Sequence, residues 1–117
     1  MGNREERALL AQVKAFIEQH GTSRFEDMSG ADGHRTINRA GFYREDGEGR
    51  REHLVLPHVF RQDVYAGFDP KTAIRVLRAH GWLIPGNDGK STQKPRLPGI
   101  GPTRIYVLGG AMWEAGE

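Results

Sequence analysis

Proline and glycine mark out two short helices joined by a tight turn in the second half of the chain. Pro57 suits the first turn of a helix, where its missing N–H would have no partner, and predicts a helix over residues 58–66. The segment Gly67-Phe68-Asp69-Pro70 ends that helix and begins another over residues 71–80, with its aspartate as N-cap and its proline at the first helical position. So short a connection leaves the two helices few possible arrangements.

The first half predicts a helix followed by a hairpin. Apolar residues recur at helical spacing over residues 4–20. A short strand is expected around Phe25. Two strand-like segments, 37–45 and 51–57, flank Asp46-Gly47-Glu48-Gly49, a turn sequence typical of a β-hairpin.

Two further strands are expected after the helical pair, over residues 82–84 and 104–108. A polar loop rich in Gly and Pro separates them. A helix, a turn, a second helix and a two-stranded wing make up the plan of a winged helix-turn-helix domain. The fold class predicted here is therefore α+β, a winged helix-turn-helix with an extra N-terminal β-hairpin.

The length of 117 residues fits one domain, residues 1–117. Its core is expected over about 4–108, with 109–117 as a frayed tail whose Met112 and Trp113 could dock onto the core. The chain has no cysteine, which excludes disulfides, thiolate metal sites and a cysteine nucleophile. No stretch approaches the apolar length of a membrane span or a signal peptide. A cytoplasmic protein without membrane contact is the resulting expectation.

Positive charge is concentrated in the second half. The net charge is only +2, and residues 1–52 hold nine Lys and Arg against ten Asp and Glu. Residues 53–113 hold eight basic residues against three acidic ones, a surplus of five. A basic half on a weakly charged chain favours an anionic partner, with nucleic acid as the first candidate. A solvated basic surface would give the same count.

The predicted second helix carries a cationic stripe. Lys71, Arg75 and Arg78 fall at i, i+4 and i+7, opposite a packing face. A helix that reads a DNA major groove needs long cationic side chains on one face for phosphates and guanine edges. Thr72 lies near the helix start, where base contacts usually occur.

The loop after residue 85 is the second candidate contact region. It is polar and cationic, and between two strands it could follow phosphates. Its candidate contacts are Lys90, Ser91, Lys94 and Arg96. Gly89-Lys90-Ser91 does not make a P-loop, because the required glycine five residues earlier is Ile84 and Pro95 opposes the helix that must follow.

No catalytic constellation is recognisable. The five histidines form no metal-binding pair, no G-x-S-x-G is present, and the acidic residues cluster in helix ends and turns. We expect no enzyme activity, cofactor or metal in this chain.

Arg39 and Arg44 have two interpretations. They could form a second nucleic-acid contact, or they could be basic side chains of the hairpin that pair with Glu45 and Glu52. The second interpretation is preferred, because charge pairs across neighbouring strands are common in sheets.

Several segments together are similar to a known family. The most specific is RLPGIGPTRIYVL, residues 96–108, and further matches are NRAGF (38–42), LVLP (54–57), GFDP (67–70) and WLI (82–84). They resemble the C-terminal module of phage- and integrative-element-borne bacterial DNA primase–helicases, whose ATPase part is a domain of unknown function. The resemblance covers most of residues 9–108 and implies a winged-helix appendage. It transfers no ATPase activity and no DNA-contact residues.

The function expected is non-catalytic DNA binding that positions a helicase or primase, with duplex preferred to single strand and the ATPase domain of the parent protein as a further partner. The main alternative is a protein-interaction module that exposes the aromatic residues Tyr65, Trp82 and Trp113. A third interpretation is a structural cap on the ATPase domain.

Overall fold

The computed structural model describes residues 3–21, 23–28 and 39–114, and the chain is of the mixed α+β class, as predicted. Residues 29–34, expected as a loop, lie outside the described part. The helical elements in chain order are α1 (Asn3–His20), α2 (Pro57–Val59) continued by a π-helical turn (Phe60–Val64), α3 (Pro70–Ala79) and α4 (Ala111–Glu114). The strands are β1 (Phe25–Asp27), β2 (Gly41–Glu45), β3 (Arg51–Val55), β4 (Arg96–Leu97), β5 (Gly101–Pro102) and β6 (Tyr106–Leu108).

Four strands form the main sheet in the order β1-β2-β3-β6. β1 runs parallel to β2, and the other two pairs are antiparallel. The predicted hairpin is β2–β3. Its turn is held by the Asp46 carboxylate, which accepts the backbone N–H of Glu48 at 2.8 Å and of Arg50 at 3.0 Å, while Gly49 has φ +81°.

Several predicted elements are shorter or less regular than expected. The strands predicted over 37–45, 51–57 and 104–108 span 41–45, 51–55 and 106–108, and residues 37–38 lie outside the described part. The helix predicted over 58–66 spans 57–64 and ends as a π-helical turn, in which the Tyr65 N–H donates to the carbonyl of Phe60. The strand predicted over 82–84 is wrong as a regular strand, because only Leu83 forms a bridge, to Leu108. Pro85 follows directly and has no N–H with which to extend the pairing.

Apolar side chains pack on both faces of the sheet. The main core lies between the helices and one face. The other face carries Phe42 and Leu54, which are opposite each other in the β2–β3 register. Leu97 and Ile105 cover them in a second, smaller core, and both are 1% exposed or less. Because side chains alternate along a strand, the strands β2, β3 and β6 contribute to both cores.

The segment 109–114 is not a frayed tail, so that prediction is wrong. Residues 111–114 form α4, and the side chain of Met112 is completely buried, which confirms its predicted docking onto the core. The chain packs tightly just before this helix, since a Cβ on Gly109 would lie 2.6 Å from the Cδ1 atom of Ile84. The buried apolar surface of the methionine therefore stabilises this part of the chain. Within the described residues, no helix combines the length and hydropathy that crossing a membrane requires.

Gly41 gives a direct test of the β2–β3 packing. A Cβ at this position would overlap the carbonyl oxygen of Leu54. We expect Gly41→Ala to lower the free energy of unfolding by at least about 3 kcal/mol, because backbone atoms must move. Gly47→Ala is the matched control, since nothing lies within 4 Å of its added Cβ. Urea titration measures both variants, and equal stability would contradict the register.

The burial of His53 leads us to expect that the protein loses stability at acidic pH. It is 4% exposed and packs edge-on against Phe25. Burial and the nearby Arg51 lower its pKa to about 4 from 6.5, opposed by a hydrogen bond to the Gly21 backbone. The unfolded chain therefore binds the proton more readily, and stability that is complete above pH 6.5 is lost as the pH falls towards 4. The loss is up to about 3 kcal/mol.

The measurement is urea unfolding at several values across that pH window. His53→Asn is the comparison variant, and it should flatten the pH dependence there. A wild-type stability that does not change between these two pH values would contradict a neutral, buried imidazole.

Candidate nucleic-acid interface

Helix α3 begins and packs as its sequence predicts. The Asp69 carboxylate accepts the backbone N–H of Thr72 at 3.0 Å, and Pro70 is the first helical residue. The same hydrogen bond holds the pKa of the Asp69 carboxyl below its usual value. Three side chains of the opposite face are buried, Ala73, Val76 and Leu77. This packing fixes which face of the helix meets solvent.

The outward face of α3 lines a shallow groove. Lys71, Arg75 and Arg78 are exposed along it, and Arg78 Nη1 donates a hydrogen bond to Ser91 Oγ at 3.2 Å. We call this the α3 groove, and it is lined by Lys71, Ile74, Arg75, Arg78, Ala79 and Ser91. The structure thus brings together three cations of the helix and one hydroxyl of the following loop.

Thr72 lies in the first turn of α3, near the helix start as expected. Its Oγ1 donates to the Asp69 carboxylate at 3.1 Å, so the hydroxyl completes the N-cap. The side chain is only partly exposed and does not line the α3 groove. The hydroxyl therefore has a structural partner within the helix start, and its predicted contact with a base stays a prediction.

The remaining candidates lie on the loop after residue 85 and on the hairpin formed by β4 and β5, which pair antiparallel. Lys90 is exposed at the end of a turn in which Asp88 Oδ1 accepts its backbone N–H at 3.0 Å. Lys94 is exposed and lines a second depression, separate from the α3 groove, together with Arg104. Arg96 is exposed on β4. None of Lys90, Lys94 and Arg96 lines the α3 groove.

The cations of the two halves of the chain have different partners. Among the described residues of the first half, Arg24, Arg39, Arg44 and Arg50 form ion pairs. Arg44 pairs with Glu52 at 2.8 Å, as preferred above, whereas Arg39 pairs with Glu26 at 3.1 Å and not with a predicted partner. Between residues 71 and 104, no Lys or Arg forms an ion pair with any residue that the structure describes; these cations are Lys71, Arg75, Arg78, Lys90, Lys94, Arg96 and Arg104. The charge of this region is therefore not neutralised within the described part of the chain.

Arg104 belongs to this set, although it was not among the contacts predicted from the sequence. Its Nη1 donates to Thr92 Oγ1 at 2.9 Å. The alternation of side chains along the predicted strand 104–108 could have identified Arg104. Ile105 is buried, so the side chain of Arg104 next to it must point outward. The many proline and glycine residues of the preceding segment led to its prediction as a loop, so the hairpin to which Arg104 belongs was not expected.

The aromatic surface required by the protein-interaction alternative is not present at two of its three positions. Tyr65 and Trp82 are each 5% exposed and belong to the main core. The side chain of Trp113 lies outside the described ones. Among the described residues, Ile100 is the large apolar side chain that is exposed, at 46%.

Comparison with known proteins gives no relative. No protein-family model matches the chain, and neither a curated protein nor a solved structure matches it. The resemblance to primase–helicase modules therefore stays a prediction. What the region can bind follows from the charges and contacts of its own residues.

The N-cap assignment of Thr72 predicts a non-additive pair of variants. Thr72→Val and Asp69→Ala should each lower the melting temperature by about 2–6 °C, because both lose a capping hydrogen bond. Adding Thr72→Val to Asp69→Ala should cost nothing further, since the shared bond is already gone. Calorimetry of the four proteins measures this. Fully additive losses would show that the hydroxyl acts elsewhere.

Proposed function

We propose that residues 51–109 act as a winged helix that binds the backbone of duplex DNA without catalysis. The proposal is supported first by the element order of strand, helical turn, helix and paired strands. β6 pairs with β3 on one side and bridges to Leu83 on the other, so it is the middle strand of three. In this interpretation α3 is the recognition helix, and the segment between Leu83 and β6 is the wing.

The observation that carries the proposal is the row of cations on α3. Lys71, Arg75 and Arg78 span eight residues of helix, which is about 10 Å along its axis. No carboxylate of the described residues forms an ion pair with them. Such a row attracts phosphates and releases the counterions of DNA on binding. The hydrogen bond from Arg78 to Ser91 brings the loop after residue 85 next to this row of cations.

Duplex DNA fits this surface better than a single strand. Proteins that bind single strands without sequence preference stack the bases on aromatic side chains. The residues that line the α3 groove include no aromatic side chain. An exposed helical face with long cationic side chains instead suits the major groove and its flanking phosphates.

The biological setting follows from the resemblance described above. In a primase–helicase of a mobile element, this domain would hold the DNA while the ATPase domain of the same protein acts on it. We infer that the chain serves as the non-catalytic DNA-binding accessory module of such a protein.

The test is fluorescence anisotropy with a random-sequence duplex and its single strand. Wild-type affinity should fall steeply from about 50 to 200 mM salt. The variant Lys71→Ala/Arg75→Ala/Arg78→Ala should bind more than about tenfold more weakly, with a salt slope smaller by about three. All three side chains are exposed, so the fold should persist, which circular dichroism checks.

The matched control is Arg4→Ala/Arg7→Ala/Arg61→Ala. It removes the same charge from exposed residues that do not line the α3 groove. We expect it to change the salt slope by less than about one. If both triple variants weaken binding equally, affinity depends on the overall charge of the protein and not on the α3 groove. No binding of the wild type even at low salt would reject DNA binding and favour the protein-interaction alternative.

A further inference from the structure

The segment predicted as a loop between residues 85 and 103 contains a regular hairpin. Gln93 pairs with Ile105, and β4 pairs with β5 in the same register, Arg96 opposite Pro102 and Leu97 opposite Gly101. Residues 93–105 thus form one hairpin, which we call the 93–105 hairpin. Its inward face packs on the sheet through Leu97 and Ile105.

The outward face of this hairpin is cationic. Side chains alternate across a hairpin, so the neighbours of the buried positions point to solvent. Three of these outward positions are both exposed and basic: Lys94, Arg96 and Arg104. We call these three residues the hairpin face. None of them forms an ion pair with a described residue.

The register places two like charges opposite each other. Between the pairs Gln93–Ile105 and Arg96–Pro102, Lys94 falls directly across from Arg104. Like charges at opposed positions destabilise a sheet. Asp88 lines the same depression, but its carboxylate accepts the backbone N–H of Lys90 and forms no ion pair with either cation. A bound anion would relieve the repulsion.

Two adjacent hydroxyls connect the hairpin face with the α3 groove. Ser91 Oγ accepts from Arg78 of α3, and Thr92 Oγ1 accepts from Arg104 of the hairpin. Each bond orients a guanidinium group without neutralising its charge. Residues 91–92 therefore set the positions of one arginine on each side of the loop.

We propose that the hairpin face is a second phosphate-binding surface, with Arg104 as a phosphate-binding residue and Thr92 as its positioning residue. The proposal rests on the proposed DNA binding and names a separate backbone contact for it. A duplex held by the α3 groove would place another stretch of its backbone against the hairpin. Both surfaces then contribute to the salt dependence of binding.

The experiment compares salt slopes for duplex binding. Lys94→Ala/Arg104→Ala should lower the slope by about two. It should not lower the melting temperature, because it removes a like-charge pair. Arg4→Ala/Arg7→Ala is the control of equal charge and should leave the slope nearly unchanged. A lowered melting temperature with an unchanged slope would show that Arg104 has only a structural role.

A second comparison tests the positioning role of Thr92. Thr92→Val keeps every charge and removes the acceptor of Arg104, so affinity should fall about threefold with the same salt slope. Thr103→Val is the control, because its hydroxyl donates to the Gly101 carbonyl in the same hairpin. We expect no effect on affinity from it. Equal affinities of wild type and Thr92→Val would overturn the positioning role.

The two proposals fail in different ways. If the α3 triple variant loses affinity while Lys94→Ala/Arg104→Ala keeps the wild-type slope, the second surface is rejected and DNA binding through α3 stands. If the wild type does not bind duplex at low salt, DNA binding itself is rejected, and the hairpin face has no phosphate to hold.

Discussion

Strand β6 holds the two halves of the molecule together. It hydrogen-bonds with β3 of the N-terminal hairpin, and it also bridges to Leu83 directly after α3. Its side chains enter both cores, Val107 on one face and Leu108 on the other. Because both edges and both faces of this strand are occupied, the hairpin, α3 and the following loop take fixed positions relative to one another. The geometry of the basic surface depends on that arrangement.

The distribution of ion pairs separates structural from available charge. In the first half, arginines such as Arg44 have carboxylate partners across the sheet or nearby. Beyond α2, the partners of Arg78 and Arg104 are neutral hydroxyls. A guanidinium held by a hydroxyl loses conformational freedom but keeps its charge, so less entropy is lost when an anion binds. This difference in partner type, more than the small net charge, supports an anionic ligand.

The elements that could be predicted are those that depend on local chemistry. Residue types close together in the sequence are enough to predict three features: the N-cap of α3, the turn at residues 46–49, and the burial of Val59 and Phe60. The errors lie where packing overrides local pattern. Residues 111–114 form a helix whose Met112 is buried in the main core. The loop rich in proline and glycine contains a hairpin because Leu97 and Ile105 cover an otherwise open face of the sheet.

By itself, the sequence determined the stripe of cations on α3, because spacing on a helix is set by the backbone and needs no distant contact. It also determined that this stripe lies opposite the packing face, through Ala73, Val76 and Leu77. Only the tertiary structure decided which hydroxyl orients which arginine. It also decided that Lys94 and Arg104 share one face of a hairpin. Ser91 and Arg78 are 13 residues apart. Their contact depends on how the chain folds back over the sheet, a choice made by burial of apolar surface in two cores and not by any local signal.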